Sequence, residues 1–213
     1  MFELIVKIGG SLHDAPTLRQ LLGVLAEAAS TRRLLVVPGG GPFADLVRAV
    51  DRRWRLSPTA AHWMAILGMD QYAWWLADLV SSAQVVTDPE SAGVALASRK
   101  LPILAPSTWL RLADPLPHTW SVTSDSIAAW VAGQTGAQLL VLCKAIDGLV
   151  RGGRLLPVVH PQELGAFDAV DPMFGSLLPE GCEAWIVNGC KPTRLAALLG
   201  GGQVRGTRIT RSR

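Results

Sequence analysis

Two glycine turns hold the first chemistry this sequence offers. Gly9-Gly10-Ser11 follows Val6-Lys7-Ile8, and Gly39-Gly40-Gly41 follows the apolar run Leu34-Leu35-Val36-Val37-Pro38. Glycine takes positive φ and lets backbone N–H groups approach an anion closely. A helix starting just after such a turn adds unpaired N–H groups and partial positive charge. Lys7 places a compact cation beside the first turn. Two such cradles in one short chain can hold two anionic groups face to face, which is the arrangement phosphoryl transfer requires. Each also has an ordinary reading, as a strand-end lysine or a plain turn. At the second turn three consecutive glycines, costly in backbone entropy, weigh against it.

Further candidates follow. Asp125, in Thr123-Ser124-Asp125-Ser126, sits at a helix start, either as a first-turn acid favoured by the dipole or as a group that orients a catalytic lysine. Lys144-Ala145-Ile146-Asp147-Gly148 comes after an apolar strand, where ligand sites of open α/β sheets gather, although an Asp-Gly turn alone is common. The chain has four lysines against sixteen arginines. Lys7, Lys144 and Lys191 all fall in candidate turns, where lysine suits phosphate as a mobile point charge. Neither GxxxxGK[ST] nor GxGxxG occurs, which weakens P-loop and classical dinucleotide-binding readings. His62 reads first as a core or surface histidine. Its neighbours Trp63, Trp74 and Trp75 cannot share one helical face; core packing is their default, with one available for a pocket or subunit contact.

These groups need strands and helices to place them. Strands are expected at residues 3–8, 34–37, 85–87, 102–105, 139–143, 184–187 and 206–210, and a hairpin over 148–159 turning at Gly152-Gly153. Helices are expected at 15–29 with Asp14 as N-cap, from Pro42 with an inner stripe of Phe43, Leu46, Val47 and Val50, at 59–80 after Ser57-Pro58, at 90–99, at 126–133 capped by Thr123 or Ser124, and at 192–199. Residues 114–117 read as a proline-rich loop. The alternation predicts an α/β fold with a mainly parallel sheet.

The 213 residues are 49% apolar, enough for a sizeable core. No apolar run reaches the ~18 residues of a membrane span, and Met1-Phe2-Glu3-Leu4 lacks a basic n-region, so a cytoplasmic chain is expected. Cys143, Cys182 and Cys190 have no CxxC spacing and read as free thiols. Arg205, Arg208, Arg211 and Arg213 make a basic end, but no aromatic-basic interleaving supports nucleic-acid binding.

Taken in order, the two glycine segments, the Thr123–Ser126 and Lys144–Gly148 segments, Val187-Asn188-Gly189-Cys190-Lys191-Pro192 with Leu195, and Gly206-Thr207-Arg208-Ile209 resemble the amino acid kinase family, which includes aspartate, acetylglutamate, uridylate and isopentenyl phosphate kinases. As a set they are specific, and they span nearly the whole chain. The resemblance implies a three-layer αβα sandwich forming one domain over 1–213, with an acceptor-binding half of about 1–138 and an ATP-binding half of about 139–213. It implies that Lys7, Gly9, Gly10 and Ser11 hold the transferred phosphoryl group and that Asp125 orients the catalytic lysine. Lys144, Asp147, Gly148 and Lys191 then flank ATP, whose phosphates carry Mg²⁺ without protein ligands. Gly39, Gly40, Gly41, Asp45, His62 and Gln71 fall on the acceptor side. A small-molecule acceptor and a homo-oligomer, dimer or larger, are expected; a membrane or nucleic-acid partner is not.

Two departures matter. Many members carry Gly-Gly-Met-x-x-Lys before the last strands, whereas Asp171-Pro172-Met173-Phe174-Gly175-Ser176 here lacks the lysine; Lys144 or Lys191 must then supply the second cation. Isopentenyl phosphate kinases carry a histidine that contacts the acceptor phosphate where this chain has Asp45, a group that would repel phosphate but can hold an ammonium. Ala61-His62-Trp63-Met64-Ala65-Ile66, with Met69, Gln71, Tyr72 and the short length, resembles the branch that phosphorylates [5-(aminomethyl)furan-3-yl]methyl phosphate to its diphosphate in methanofuran-type one-carbon cofactor synthesis. Its flat ring suits Trp or Tyr contact, and its ammonium suits Asp45 or Asp70. The expected activity is thus ATP-dependent phosphorylation of a phosphate monoester. The alternatives are uridylate, isopentenyl phosphate or amino acid carboxylate acceptors, and a non-catalytic nucleotide or oxyanion binder.

Overall fold

All-apolar runs become the inner strands, because a parallel sheet covered on both faces buries both sides of each strand. The computed structural model describes residues 1–210, so Arg211 and Arg213 of the basic end lie outside the described residues. In chain order the elements are β1 (Leu4–Ile8), α1 (Leu18–Ala29), β2 (Leu34–Pro38), α2 (Gly41–Trp54), α3 (Pro58–Asp78), β3 (Ala83–Val86), α4 (Pro89–Ala97), β4 (Leu101–Leu104), α5 (Ser107–Ala113), α6 (Ser124–Thr135), β5 (Leu139–Lys144), β6 (Val150–Arg151), β7 (Arg154–Leu155), β8 (Val158–Val159), α7 (Phe174–Leu177), β9 (Glu183–Asn188), α8 (Pro192–Leu199) and β10 (Gly206–Ile209). Short 3₁₀ turns occupy Gly10–Leu12 and Pro161–Ala166.

The central sheet has the order β3-β4-β2-β1-β5-β9-β10-β8. It is parallel from β3 to β9; β10 runs antiparallel to β9, and β8 parallel to β10. Helices cover both faces, giving the αβα sandwich. Ile5, Leu35, Val37, Leu140 and Leu142 pack with Ile127, Ala128 and Val131 of α6. Leu4, Val6, Ile8, Val36 and Val141 pack with Leu18, Leu21, Leu22 and Leu25 of α1 and with Leu195 of α8. Each large aliphatic buried this way stabilises the fold by about 1.5–3 kcal/mol before entropy is counted.

This alternation aims the chemistry. Lys7 follows Ile5 by two residues and Lys144 follows Leu142, so both lysines leave their strands on the α6 side. Lys7 is in register with Val37 and Leu142, and Ile8 with Pro38 and Cys143. The loops after β1, β2 and β5 therefore leave the same edge of the sheet.

Several expectations need correction. Thr17, without a side-chain capping bond, occupies the N-cap of α1 instead of Asp14; the chain first makes a 3₁₀ turn after Gly9. Leu46 is exposed, because Gly41, Ala44 and Val47 form the buried face of α2. Residues 107–113 form α5, whose start at Pro106-Ser107 is fixed by a tertiary bond from Ser107 N–H to Asp70 Oδ1 at 3.1 Å. As expected, α3 starts after Ser57, which caps it through Ala60 N–H, and the hairpin turns at Gly152-Gly153, although Val158–Val159 joins the central sheet instead of the hairpin. Trp63 packs against the α6-side core and Trp75 against the α1-side core, while Trp74 is exposed.

Candidate active site

Close backbone approach explains the glycines at the sheet edge. A Cβ on Gly10 would lie 2.7 Å from Gly41 N, and one on Gly39 only 2.5 Å from Gly10 N. The two turns pack backbone to backbone, leaving no room for a side chain at either position. The first-turn N–H groups of α2 and of the 3₁₀ turn have no intrahelical partner. They belong to a cleft of about 820 Å³ that Gly9, Gly10, Ser11, Gly40 and Gly41 help to line.

Asp125 enters this cleft from the first turn of α6 and joins the two lysines. Lys144 Nζ donates to its Oδ2 at 2.6 Å, and Lys7 Nζ lies 2.9 Å from Oδ1 as an ion pair outside hydrogen-bonding geometry. The carboxylate is 3% exposed. Burial alone would raise its pKa, but the charges of Lys7 and Lys144 hold it below the ordinary carboxylate value. Burial, with repulsion from Lys7, lowers the Lys144 pKa despite the attraction of Asp125. One anion between two cations at an edge rich in N–H donors can present both ammonium groups to phosphate oxygens.

Asp171, which the sequence singled out only as a departure, fixes this arrangement. It accepts from Thr123 N–H at 2.9 Å, Thr123 Oγ1 at 2.8 Å and Ser126 N–H at 3.0 Å, and from Ser126 Oγ. It thus caps α6, whose N-cap Thr123 makes no capping bond of its own, and sets where Asp125 points.

The cleft also brings in Asp45 and His62. Arg48, Asp51, His118 and Trp120 line it too and were missed in the sequence. Arg48 pairs with Asp45 at 2.8 Å, its guanidinium carbon lies 5.0 Å from the Trp120 ring centroid, and Trp120 Nε1 donates to Asp51 at 2.7 Å. The Asp45–Arg48 spacing on one helix was a readable signal; Trp120, in an irregular loop, offered none. Burial, then repulsion from His118, pulls the His62 pKa down to about 4.

Other expected residues stand elsewhere. Gly39 is buried behind the lining as the packing partner of Gly10. Gln71 on α3 and Lys191 at the N-cap of α8 are exposed and line neither this cleft nor its neighbour. Asp70 accepts from Ser107 and is outside both, and burial raises its pKa. The neighbouring cleft, about 540 Å³, is lined by residues 146–150 and 166–169, including Asp147 and Gly148. Asp147 is already engaged: Arg194 at 2.6 Å, Asn188 at 2.7 Å and Arg205 at 3.0 Å bond its carboxylate. The Arg194 bond is the main cause that holds its pKa well down. Gly148 has φ 137°, and a Cβ there would meet Thr207 Oγ1 at 2.6 Å.

The amino acid kinase family profile matches residues 3–178. This chain belongs to the amino acid kinase family. It is a phosphotransferase of that family, by a match covering most of its length. Among curated relatives, the [5-(aminomethyl)furan-3-yl]methyl phosphate kinase of Methanocaldococcus jannaschii is 30% identical over 92% of this chain and 93% of its own. Among solved structures, uridylate kinase from Archaeoglobus fulgidus superposes with a TM-score of 0.74 at 18% identity, over 99% of this chain and 100% of that one. UMP kinase from Ureaplasma parvum gives 0.76 at 14% identity over the same shares. These two show the fold.

Proposed function

We propose that this kinase transfers the γ-phosphoryl group of ATP to a phosphate monoester, and that the monoester is [5-(aminomethyl)furan-3-yl]methyl phosphate, yielding the diphosphate for one-carbon cofactor synthesis of the methanofuran type. The observation that carries the chemistry is Asp125 held between Lys7 and Lys144 where the glycine turns meet. The furan acceptor is supported by the curated relative and by the composition of the cleft beyond the lysines. There, Trp120 adds an aromatic wall, and Asp45 and Asp51 offer carboxylates to an ammonium.

In this reading the adenosine end occupies the neighbouring cleft beside Gly148, and the β- and γ-phosphates reach Lys7, Lys144 and the Gly9-Gly10-Ser11 turn. An acceptor phosphate oxygen forms the new bond to the γ-phosphorus as the bond to the bridging oxygen of ADP breaks. That oxygen is already ionised, so no general base is needed, and stabilising charge in the transition state dominates. Lys7 and Lys144 move from Asp125 toward the phosphoryl oxygens, while Asp125 keeps both oriented. Mg²⁺ bound to the nucleotide would neutralise β,γ charge. The donor set fits an ion carried by ATP: Asp125 is taken up by two lysines and Asp171 by Thr123 and Ser126.

Among the described residues no helix is long and apolar enough to cross a membrane; a cytoplasmic enzyme drawing on soluble ATP is the matching setting. Exposed Trp74, Leu67 and Met64 on α3 support a homo-oligomer through this face, which a monomeric mass in solution would rule out.

The deciding experiment measures ADP release from Mg-ATP with the aminomethylfuran phosphate, UMP, isopentenyl phosphate, glutamate and aspartate. Turnover confined to the furan phosphate is expected, and Lys7→Ala should reduce it on the order of 10²-fold or more. Turnover with another acceptor would replace the substrate; ATP binding with no turnover would reduce the chain to a nucleotide binder.

A further inference from the structure

The geometry points to a binding site for a divalent transition-metal ion, of the zinc class, formed by His62, Asp114 and His118 at the rim of the large cleft. One donor atom from each lies within 4.8 Å of the other two. The three come from separate elements: His62 from α3, Asp114 from the C-cap of α5, and His118 from the loop that leads to α6. Asp114 takes the left-handed conformation, φ 36° and ψ 53°, which turns the chain back on itself after α5.

The donor set is chemically apt. Two imidazoles and one carboxylate are the ligands of zinc sites that keep one position open, and imidazole suits zinc, copper, nickel and iron better than magnesium or calcium. His118 Nε2 already lies 3.0 Å from Asp114 Oδ1, while its Nδ1 lies 3.1 Å from Thr59 Oγ1. A hydroxyl on the second nitrogen fixes the ring and leaves Nε2 as ligand, as outer partners do in established sites. The His62 and His118 rings stack with centroids 4.2 Å apart and planes 21° apart, so one ring must turn for a single ion to lie in both ring planes. Bonds of about 2.0–2.1 Å in a tetrahedron need donors about 3.3 Å apart. The Asp114–His118 pair is near that spacing, and closing His62 onto it takes side-chain rotation at a rim where Asp114 is exposed. Trp63 stands beside both rings, at 5.0 and 5.5 Å, and covers the site from one side. Arg111 lies on Trp63, 5.3 Å from its ring centroid, as the nearby opposing charge.

His62 and His118 line the large cleft and Asp114 does not. The open coordination position therefore faces the cleft, where a phosphate oxygen or an amine could complete it. The ion would also tie the 114–123 loop to α3. The assignment rests on donor geometry alone and holds whichever acceptor the kinase uses.

The test uses the untagged full-length chain, stripped of metal. Titration with Co²⁺ should give the visible bands of a tetrahedral or five-coordinate ion, saturating at one equivalent. Zn²⁺ should displace it, and should raise the unfolding temperature by mass action. His118→Ala and Asp114→Asn should each weaken binding roughly 10-fold or more. His13→Ala should not: its His–Asp contact with Asp14 is 2.9 Å long but lies outside the cluster. Far-UV circular dichroism confirms that each variant is folded. Absence of Co²⁺ bands in the wild-type chain, or binding that both cluster variants leave unchanged, would overturn the site.

Discussion

Replacing Asp125 by asparagine removes one negative charge and almost no volume. In the wild-type chain that charge meets Lys144 Nζ at 2.6 Å and Lys7 Nζ at 2.9 Å, with all three side chains largely shielded from water. Asparagine would leave two ammonium groups facing each other across a neutral amide. Breaking a buried ion pair from one side costs about 3–5 kcal/mol. Two cations lose the same partner here, which pushes toward the upper figure; release of a proton from Lys144, whose pKa is already lowered, pulls back from it. For a chain of this size, 3–5 kcal/mol corresponds to a fall of about 6–20 °C in Tm. The charge argument adds a signature that lost packing would not: ATP supplies the missing negative charge, so saturating Mg-ATP should stabilise Asp125→Asn more than it stabilises the wild type. The sign with pH is also fixed. The Asp125 pKa is depressed on folding, so its contribution is present above the unfolded value of 3.8 and disappears as pH falls through the folded value. Urea unfolding followed by circular dichroism at pH 7, with and without Mg-ATP, measures each quantity. A variant within about 1 kcal/mol of wild type, with an equal response to ATP, would refute the bridging role of Asp125.

Three further outcomes can be measured. Lys144 has a lowered pKa, so kcat/KM should fall on an alkaline limb below 10.5 while stability rises over the same interval, because the unfolded chain there binds more protons than the folded one; a limb in kcat/KM at or above 10.5 would contradict this. Gly10→Ala should cost about 1–3 kcal/mol through its clash with Gly41 N and abolish ATP binding. The control Gly23→Ala, in α1 with nothing within 4 Å of the new Cβ, should instead gain about 0.5–1 kcal/mol, both by urea unfolding. Asp45→Asn should raise KM for an ammonium-bearing acceptor about two- to fivefold, since an exposed pair is worth at most about 1 kcal/mol, and leave KM for ATP unchanged; equal effects on both would remove Asp45 from the acceptor side.

Most of the fold was legible because its signals are local. Runs such as Leu34–Val37 and Leu139–Cys143 can be buried on both faces only in a covered parallel sheet, and Pro192 and Ser57-Pro58 mark helix starts. Expectations failed where tertiary contact decides. Asp14 has capping chemistry, but the 3₁₀ turn delays α1 past it. The start of α5 depends on Asp70, 37 residues earlier in the chain. On α2, Leu46 looked like core by type, yet the glycine turn at Gly41 sets the helix phase so that Ala44 and Val47 face inward. Of the candidate site, the residues on strands and glycine turns were readable. His118 and Trp120 were not, since their loop has no period and its position is set by bonds to Thr59, Asp114 and Asp51.

The stretch that lacks the late lysine, Asp171–Ser176, still serves the site. Where the Gly-Gly-Met-x-x-Lys pattern would place its lysine, this chain has Ser176, five residues after Asp171, so a second cation must come from elsewhere. Lys191 is exposed at the N-cap of α8 and lines neither cleft. Lys144 ends β5 beside β1, on the same sheet face as Lys7, and already shares Asp125 with it. Asp171 contributes in a different way from a lysine. Its four bonds to Thr123 and Ser126 hold the first turn of α6, and that turn carries Asp125. Asp171→Asn would put an amide N–H against donors that now bond a carboxylate, leaving at least one buried group unsatisfied at about 1–3 kcal/mol. Asp171 bonds neither lysine, although its charge acts on Lys144, so a kcat that falls while ATP affinity persists would mark it as a positioning residue. A loss of ATP affinity without change in kcat would place it with the binding groups instead.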